Sequence, residues 1–389
     1  MMKRREVLTG VMAGTALALL PRYGRAQGSG SFKIGTILSV TGPGAFLGDN
    51  MKRGMELAID EINGAGGING RKIDWVFYDA ETQSTKGVNA TRRLIEQDQV
   101  DIIVGGGNAS GIALAMVPIV EKAGTPFIST EGSMQIVNPV AERKWTFKST
   151  IDDDQILEVA ADFWKKRGIA SVAFLADSSG FGASAKEQLE KIAPKHGLKV
   201  LYETFNPGDT DLTAQLARIK ASDAKSILCW TITPTGVVFL KQARELGLGD
   251  RALMHSYGFV DDRYMKLAEG AADNTFLLSV KFPVGADLPA SDPLKARILG
   301  LVAKYEKKYS KTPNQFVAQT YDAINLAAAA LKASGGDKAK TRTALEGIRN
   351  FAGVGGTFNF ASDRHSGLSK SDGTVITWRD GGWRLAPNT

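Results

Sequence analysis

From Phe32 onward, short β-branched and apolar runs alternate with longer stretches whose apolar positions recur every three or four residues. FKIGTILSV (32–40) reads as a strand. The segment 47–62 then puts Met51, Met55, Ala58, Ile59 and Ile62 on one helical face. GAGGINGRKIDWVFYDAE (64–81) supplies a glycine-rich turn and a second strand. A helix is expected over 85–97, then the strand VDIIV (100–104), a helix after Ser110, and the strand TPFIST (125–130). A second series starts near Asp154. It runs helix, SVAFLAD (171–177), helix from Phe181, LKVLYETF (198–205), helix from Asp211, KSILCWTI (225–232), helix from Gly236, RALMHSY (251–257). Strands alternating with helices of this length imply parallel sheets with right-handed crossovers. Two series predict two doubly wound, Rossmann-like lobes, each binding ligands beyond its strand carboxyl ends. Helices at 293–309 and 315–333, GGTFNF (355–360) and GTVITWRDGGWRLA (373–386) make no third series and complete the two lobes.

The first 26 residues fit an export signal. Lys3, Arg4 and Arg5 precede an apolar run over 11–20, with small residues before a cut after Ala26. A membrane anchor would need about 20 apolar residues, roughly twice this run. The Arg4-Arg5 pair followed by Val7-Leu8 resembles a twin-arginine signal, with general secretion as the alternative. No cysteine follows the run, so a lipid-anchored product is not expected. Removing 1–26 takes away five basic side chains and one acidic one, lowering the formal charge from +7 to +3. No basic cluster with interleaved aromatics remains, so nucleic acid is not a predicted partner. Cys229 is the sole cysteine, so an exported chain has no internal disulfide and relies on its core.

The stretch VDIIVGGGNASGIALA (100–115) carries the chemistry. A dinucleotide fingerprint needs G-x-G-x-x-G/A, yet Gly105-Gly106-Gly107-Asn108-Ala109-Ser110 ends in serine, and no Lys-Ser/Thr follows as in a P-loop. No cofactor is expected. A hydrolase elbow centres its serine in G-x-S-x-G, whereas GNASG has Ser110 fourth of five. His196 and His365 read as surface residues; His255 could line a site but has no local spacing to an acid or nucleophile. No clustered Cys/His metal pattern occurs. Anion capture remains: a strand delivering a glycine-rich loop into a helix start presents free amides and a positive dipole end. Ser110, at the N-cap position, either caps its own helix or turns its hydroxyl to the guest. Pro118 must kink that helix unless it falls in the first turn.

The string S-x-TGP…G…GMELAIDEINGAGGINGRKI resembles the leucine/isoleucine/valine-binding family, the periplasmic solute receptors of ABC importers. The resemblance continues through DIIVGGGNASGIALAMVPIVEKAGTPFIST, FLADSSGFGAS, LARIKASDAKSILCW, LKQARELGL and QFVAQTYDAINLAAAAL, nearly the whole mature chain. It implies a flytrap of two lobes joined by three hinge segments, with lobe 1 at 31–148 plus 280–356 and lobe 2 at 149–279 plus 357–389. It also implies a non-enzymatic, monomeric periplasmic protein that delivers a small solute to an inner-membrane permease. A ligand-sensing receptor of the same fold is the alternative, and a hydrolase the third.

Carried over residue by residue, the family's carboxylate-binding hydroxyl falls on Ser110, beside Asn108 and Ala109. The Ser/Thr after the fourth strand falls on Ser133. Gly132 precedes it, and Glu131 stands where the family uses a backbone carbonyl. Phe181 matches a ligand-facing aromatic, with a buried helix-start anchor as its other reading. Trp230 and Ile232 match a pocket wall, Phe46 and Leu47 a covering loop, and Phe316 a late helix that closes the pocket. Tyr257 departs from the pattern, because amino-acid receptors hold the ligand ammonium with an acid there. A buried ammonium without a counter-charge costs several kcal/mol. Either Glu131 or Asp177 takes over that role, or the ligand has no ammonium. The five rings Phe46, Phe181, Trp230, Tyr257 and Phe316 suit a flat apolar body, though some could be core. The expected solute is a small carboxylate, with an aromatic acid ahead of a branched-chain amino acid.

Overall fold

The strand–helix alternation folds into two separate sheets. A computed structural model describes residues 30–387, so the export signal read over 1–26 lies outside the described residues. The first sheet contains β1 (Phe32–Leu38), β2 (Ile73–Asp79), β3 (Ile102–Gly105), β4 (Phe127–Ser129) and β5 (Thr146–Lys148). Crossovers are α1 (Ala45–Gly64), α2 (Ser84–Glu96) and α3 (Ser110–Ala123). The order is β2-β1-β3-β4-β5, every pairing parallel.

After α4 (Asp153–Lys166) the chain builds the second sheet from β6 (Ser171–Asp177), α5 (Gly180–Ile192), β7 (Lys199–Phe205), α6 (Thr213–Ala221), β8 (Ser226–Trp230), α7 (Thr235–Glu245), β9 (Ala252–His255), α8 (Asp262–Ala268) and β10 (Phe276–Val280). It then returns to the first lobe as α9 (Pro293–Tyr309), α10 (Gln315–Ser334) and α11 (Lys338–Glu346), with α10 packed along α1. A small antiparallel hairpin, β11 (Phe351–Ala352) and β12 (Thr357–Phe358), follows. Finally β13 (Gly373–Arg379) and β14 (Gly382–Leu385) add antiparallel strands beyond β10, giving the order β14-β13-β10-β9-β8-β6-β7. The chain therefore passes between the two sheets three times, after β5, β10 and β12.

Helices cover both faces of the parallel strands, which explains their near-continuous apolar runs. Ile34, Ile102, Val104 and Ile128 are buried in the first sheet, and Val172, Phe174, Leu228, Met254 and Leu278 in the second. Pro118 sits in the interior of α3, where it removes one amide from the helix ladder.

The turn out of β3 requires glycine. Gly105 has φ +125°, and a Cβ there would stand 2.5 Å from the Ile37 carbonyl oxygen. Gly105→Ala should therefore lower stability by about 1–3 kcal/mol through backbone strain alone, read as an earlier midpoint in urea denaturation.

Candidate functional site

Both sheets run in the order second, first, third, fourth, fifth strand, so the direction of winding reverses between β1 and β3 and again between β6 and β8. Loops leaving the carboxyl ends of those strands diverge and leave a crevice. The two crevices face each other, and the site lies between them.

On the first lobe, the glycine-rich loop is less open than its sequence suggests. The amides of Gly106 and Gly107 both donate to the Ile37 carbonyl, at 3.0 and 2.9 Å. Asn108 adopts a left-handed conformation at φ 67°. Its side-chain amide donates to the carbonyls of Ser39 (2.6 Å) and Gly44 (3.2 Å), tying the loop after β1 to the loop after β3. Its backbone amide donates to Glu131 Oε1 at 2.9 Å. The unpaired donors lie one step further on: Ala109, Ser110 and Gly111 make no backbone N–H bond among the described residues. Ser110 is also not the N-cap. Ala109 holds that position with extended backbone, and α3 begins at Ser110. The Ser110 hydroxyl instead accepts from the Ser133 amide at 3.1 Å, which leaves its own proton to donate.

From the second lobe, α5 points its own N-terminus at that of α3. A Cβ on Gly180 would stand 3.5 Å from the Gly111 nitrogen, so the two helix starts nearly touch across the cleft. Each helix start carries partial positive charge; Asp177 and the Ser179 hydroxyl already answer that of α5, while the unpaired amides at the start of α3 favour a negative group.

The cleft is walled by Leu47, Met51, Asn108, Ala109, Ser110, Thr130, Glu131, Gly132, Thr150, Phe181, Ile232, Tyr257, Gly258, Phe316 and Gln319. It encloses about 30 Å³, space for a water or two, so a solute enters by parting the lobes. A Cβ on Gly132 would lie 2.3 Å from the Tyr257 hydroxyl and 2.6 Å from the Phe181 ring, which shows how closely the walls meet.

Of the residues named from sequence, Phe46, Ser133 and Trp230 stand outside this lining. Phe46 packs 4.8 Å from Tyr264 with the Arg263 guanidinium 3.6 Å from its ring, a bridge between lobes at the cleft rim. Ser133 is fully buried and its hydroxyl accepts from the Gln135 amide at 3.2 Å. Trp230 is fully buried behind the wall, with its ring 5.1 Å from Phe181 and 5.7 Å from Tyr257. Conversely, Met51, Thr130, Thr150, Gly258 and Gln319 line the cleft unannounced. Met51 and Gln319 stand one helical turn from Leu47 and Phe316, a spacing that could have revealed them. His255 lies away from the cleft, stacked on Phe259 at 4.0 Å, and burial pushes its pKa down to about 3. His365 stacks on Phe147 and bonds the Arg143 and Thr146 carbonyls; His196 pairs with Glu158. None of the three histidines bonds Ser110.

Glu131 is the sole acid in the lining. Burial raises its pKa to about 7, against the opposing pull of the Asn108 amide, the Thr130 hydroxyl and Lys148. Behind the wall, the fully buried Lys148 donates to the Gly132 carbonyl at 2.5 Å and pairs with Asp152. Asp153 beside them is also pushed up to about 7 by burial. The Tyr257 hydroxyl is buried without a partner among the described residues, and burial drives its pKa well above the usual phenol value. Asp177 faces none of this; it accepts from Ser179 and Thr231 under the start of α5.

Two α/β lobes with a cleft at the carboxyl ends of their parallel strands have the architecture of the type I periplasmic binding proteins. The family model for periplasmic binding proteins matches residues 31–382, and the chain belongs to that family. Its members are binding proteins rather than enzymes. Among its relatives is Leu/Ile/Val-binding protein homolog 7 of Brucella abortus (strain 2308), 27% identical over 382 residues and covering 92% of each chain. An extracellular ligand-binding receptor from Rhodopseudomonas palustris HaA2 superposes with a TM-score of 0.83 at 25% identity, over 92% of this chain and 99% of that one. The branched-chain amino acid transporter substrate binding protein LivJ of Streptococcus pneumoniae, solved with isoleucine, gives 0.79 at 25% identity over 92% and 99%. No helix among the described residues is long and apolar enough to cross a membrane.

An unpartnered buried hydroxyl is a stability cost of roughly 1–3 kcal/mol, so removing it should do no harm to the fold. Tyr257→Phe is expected to keep or raise the thermal midpoint of the ligand-free protein in calorimetry, a lower midpoint showing that the hydroxyl has a structural partner.

Proposed function

We propose that the protein captures a small carboxylate with an apolar body between its lobes and delivers it to an ABC permease in the inner membrane. The moving units are 31–148 plus 280–356 and 149–279 plus 357–389, acting as a monomer. The observation that carries this reading is the meeting of two helix N-termini at a cleft whose apolar wall is Leu47, Met51, Ile232, Phe181, Tyr257 and Phe316. Amides of Ala109 to Gly111 and the Ser110 hydroxyl fix the carboxylate on the first lobe. Phe181 and Tyr257, whose rings stand edge-on at 5.5 Å, then shut over its body.

Closure reports occupancy because the solute contacts both lobes and so favours the closed state. The relatives' names point to Leu, Ile and Val, and the streptococcal protein was solved with isoleucine. The edge-on ring pair here supports an aromatic acid ahead of those. Micromolar affinity, about 8 kcal/mol, is the expected order.

Ser110→Ala should weaken any carboxylate solute by about 1.5–3 kcal/mol, a loss of roughly 10- to 150-fold, through one missing charge-assisted hydrogen bond. Isothermal titration of the variant with whichever acids stabilise the wild type in a thermal-shift panel reads the effect. Unchanged affinity would move the anchor away from the start of α3.

A further inference from the structure

The carboxylate of Glu131 already stands where the incoming anion is wanted. One of its oxygens accepts from the Asn108 amide at 2.9 Å and the Thr130 hydroxyl at 3.2 Å, two residues before Ser110. Its other oxygen makes no hydrogen bond, yet it is not among the sealed, unpartnered atoms. No cationic side chain lines the cleft to separate two negative groups. Two carboxylates brought within hydrogen-bond reach cannot both stay ionised, and they share one proton.

A ligand ammonium would make the opposite demand, and the wall serves it poorly. The Gly132 carbonyl, an acceptor it would seek, is already held by the Lys148 ammonium. The Tyr257 hydroxyl, buried and unpartnered against Gly132, offers a donor to an anion and remains protonated through the physiological range.

Building on the carboxylate reading above, we infer that this cleft selects monocarboxylates without an ammonium group and binds them together with one proton, carried by Glu131 as the acid partner of the ligand carboxylate. The groups that surround Glu131 fit this role. Lys148 from β5 pairs with Asp152 and still pulls the Glu131 pKa down against the effect of burial, while Asp152, Asp153 and Asp154 at the start of α4 act on Tyr257. Phe316 and Gln319 of α10 and Phe181 of α5 bring no charge. With a pKa near 7, Glu131 takes up its proton at little cost around neutrality. An anionic neighbour raises that value further, so binding draws a proton from solvent above neutrality. A zwitterion pairing with ionised Glu131 would lower it and release one.

Two pairs of probes differ only in the ammonium: 4-methylpentanoate against leucine, and 3-phenylpropanoate against phenylalanine. Titration calorimetry of the wild-type protein at pH 6, 7, 8 and 9, in buffers of low and high ionisation enthalpy, reads affinity and proton count together. The des-amino acid of at least one pair should bind more tightly than its amino acid by tenfold or more. Its affinity should fall toward tenfold per pH unit above neutrality, with uptake approaching one proton. Glu131→Gln, which retains an acceptor for the Asn108 amide, should bind the same acid with no proton linkage and should overtake the wild type at pH 9. Preference for leucine or phenylalanine, proton release, or buffer-independent heats would overturn the inference and leave carboxylate capture standing. Linkage that persists in Glu131→Gln would also overturn it, assigning the proton to Asp153. If none of the four binds at millimolar concentration, while an acid from the thermal-shift panel does, the inferred preference is overturned; if no acid of either set binds, carboxylate capture itself fails. The wild-type titrations decide the matter even if the variant does not fold.

Discussion

Amide groups at the start of a helix have no partners within the helix, and this architecture places two such starts nose to nose. The reversal of strand order in each sheet fixes where α3 and α5 begin, and the close approach of Gly180 to Gly111 is one of the places where the lobes meet. Three polar residues of the first lobe are arranged around the start of α3. Asn108 holds the loops of the first lobe in register beside it, Glu131 supplies an internal negative group, and Ser110 keeps a proton free. Without the double helix start, the cleft would be an apolar slot with one costly buried acid.

Much of the fold could be read in the chain because period is a local property. The helices at 293–309 and 315–333 and the alternating series on either side of residue 150 follow from apolar spacing. The elements missed, β5, β10, α8 and α11, are short, yet β4 with three residues and α6 with nine are legible because each stands between recognised neighbours in an alternating series. The missed four lie where that alternation breaks off. β5 mattered most, since the crossing that follows it brings Thr150 into the cleft and Lys148 behind it.

The site was legible in kind more than in detail. Ser110 and Glu131 were marked by their place after strands, but the partners of each were not, because a hydrogen bond between Ser110 and the Ser133 amide joins residues 23 apart. The three glycines suggested open amides. In the fold, two of those amides close onto Ile37, since a loop leaving a sheet edge satisfies its nearest carbonyl first. Phe46 and Trp230 show the limit for aromatics. A ring one or two residues from a wall position can face the rim or the core, and only tertiary packing decides which.

Gly132 connects the cleft to the crossing segments. On one side its peptide meets Tyr257 and Phe181 from the second lobe; on the other its carbonyl receives Lys148, which pairs with Asp152 in the first crossing between lobes. A solute that displaces the two rings from Gly132 therefore acts on the peptide that anchors the buried ion pair at the crossing. Lys148 is sealed from solvent and Asp152 nearly so, and a buried ion pair of this kind has few alternative partners. The Gly132 peptide thus joins the packing of Phe181 and Tyr257 on the cleft side to the charge pairing of the first crossing on the other.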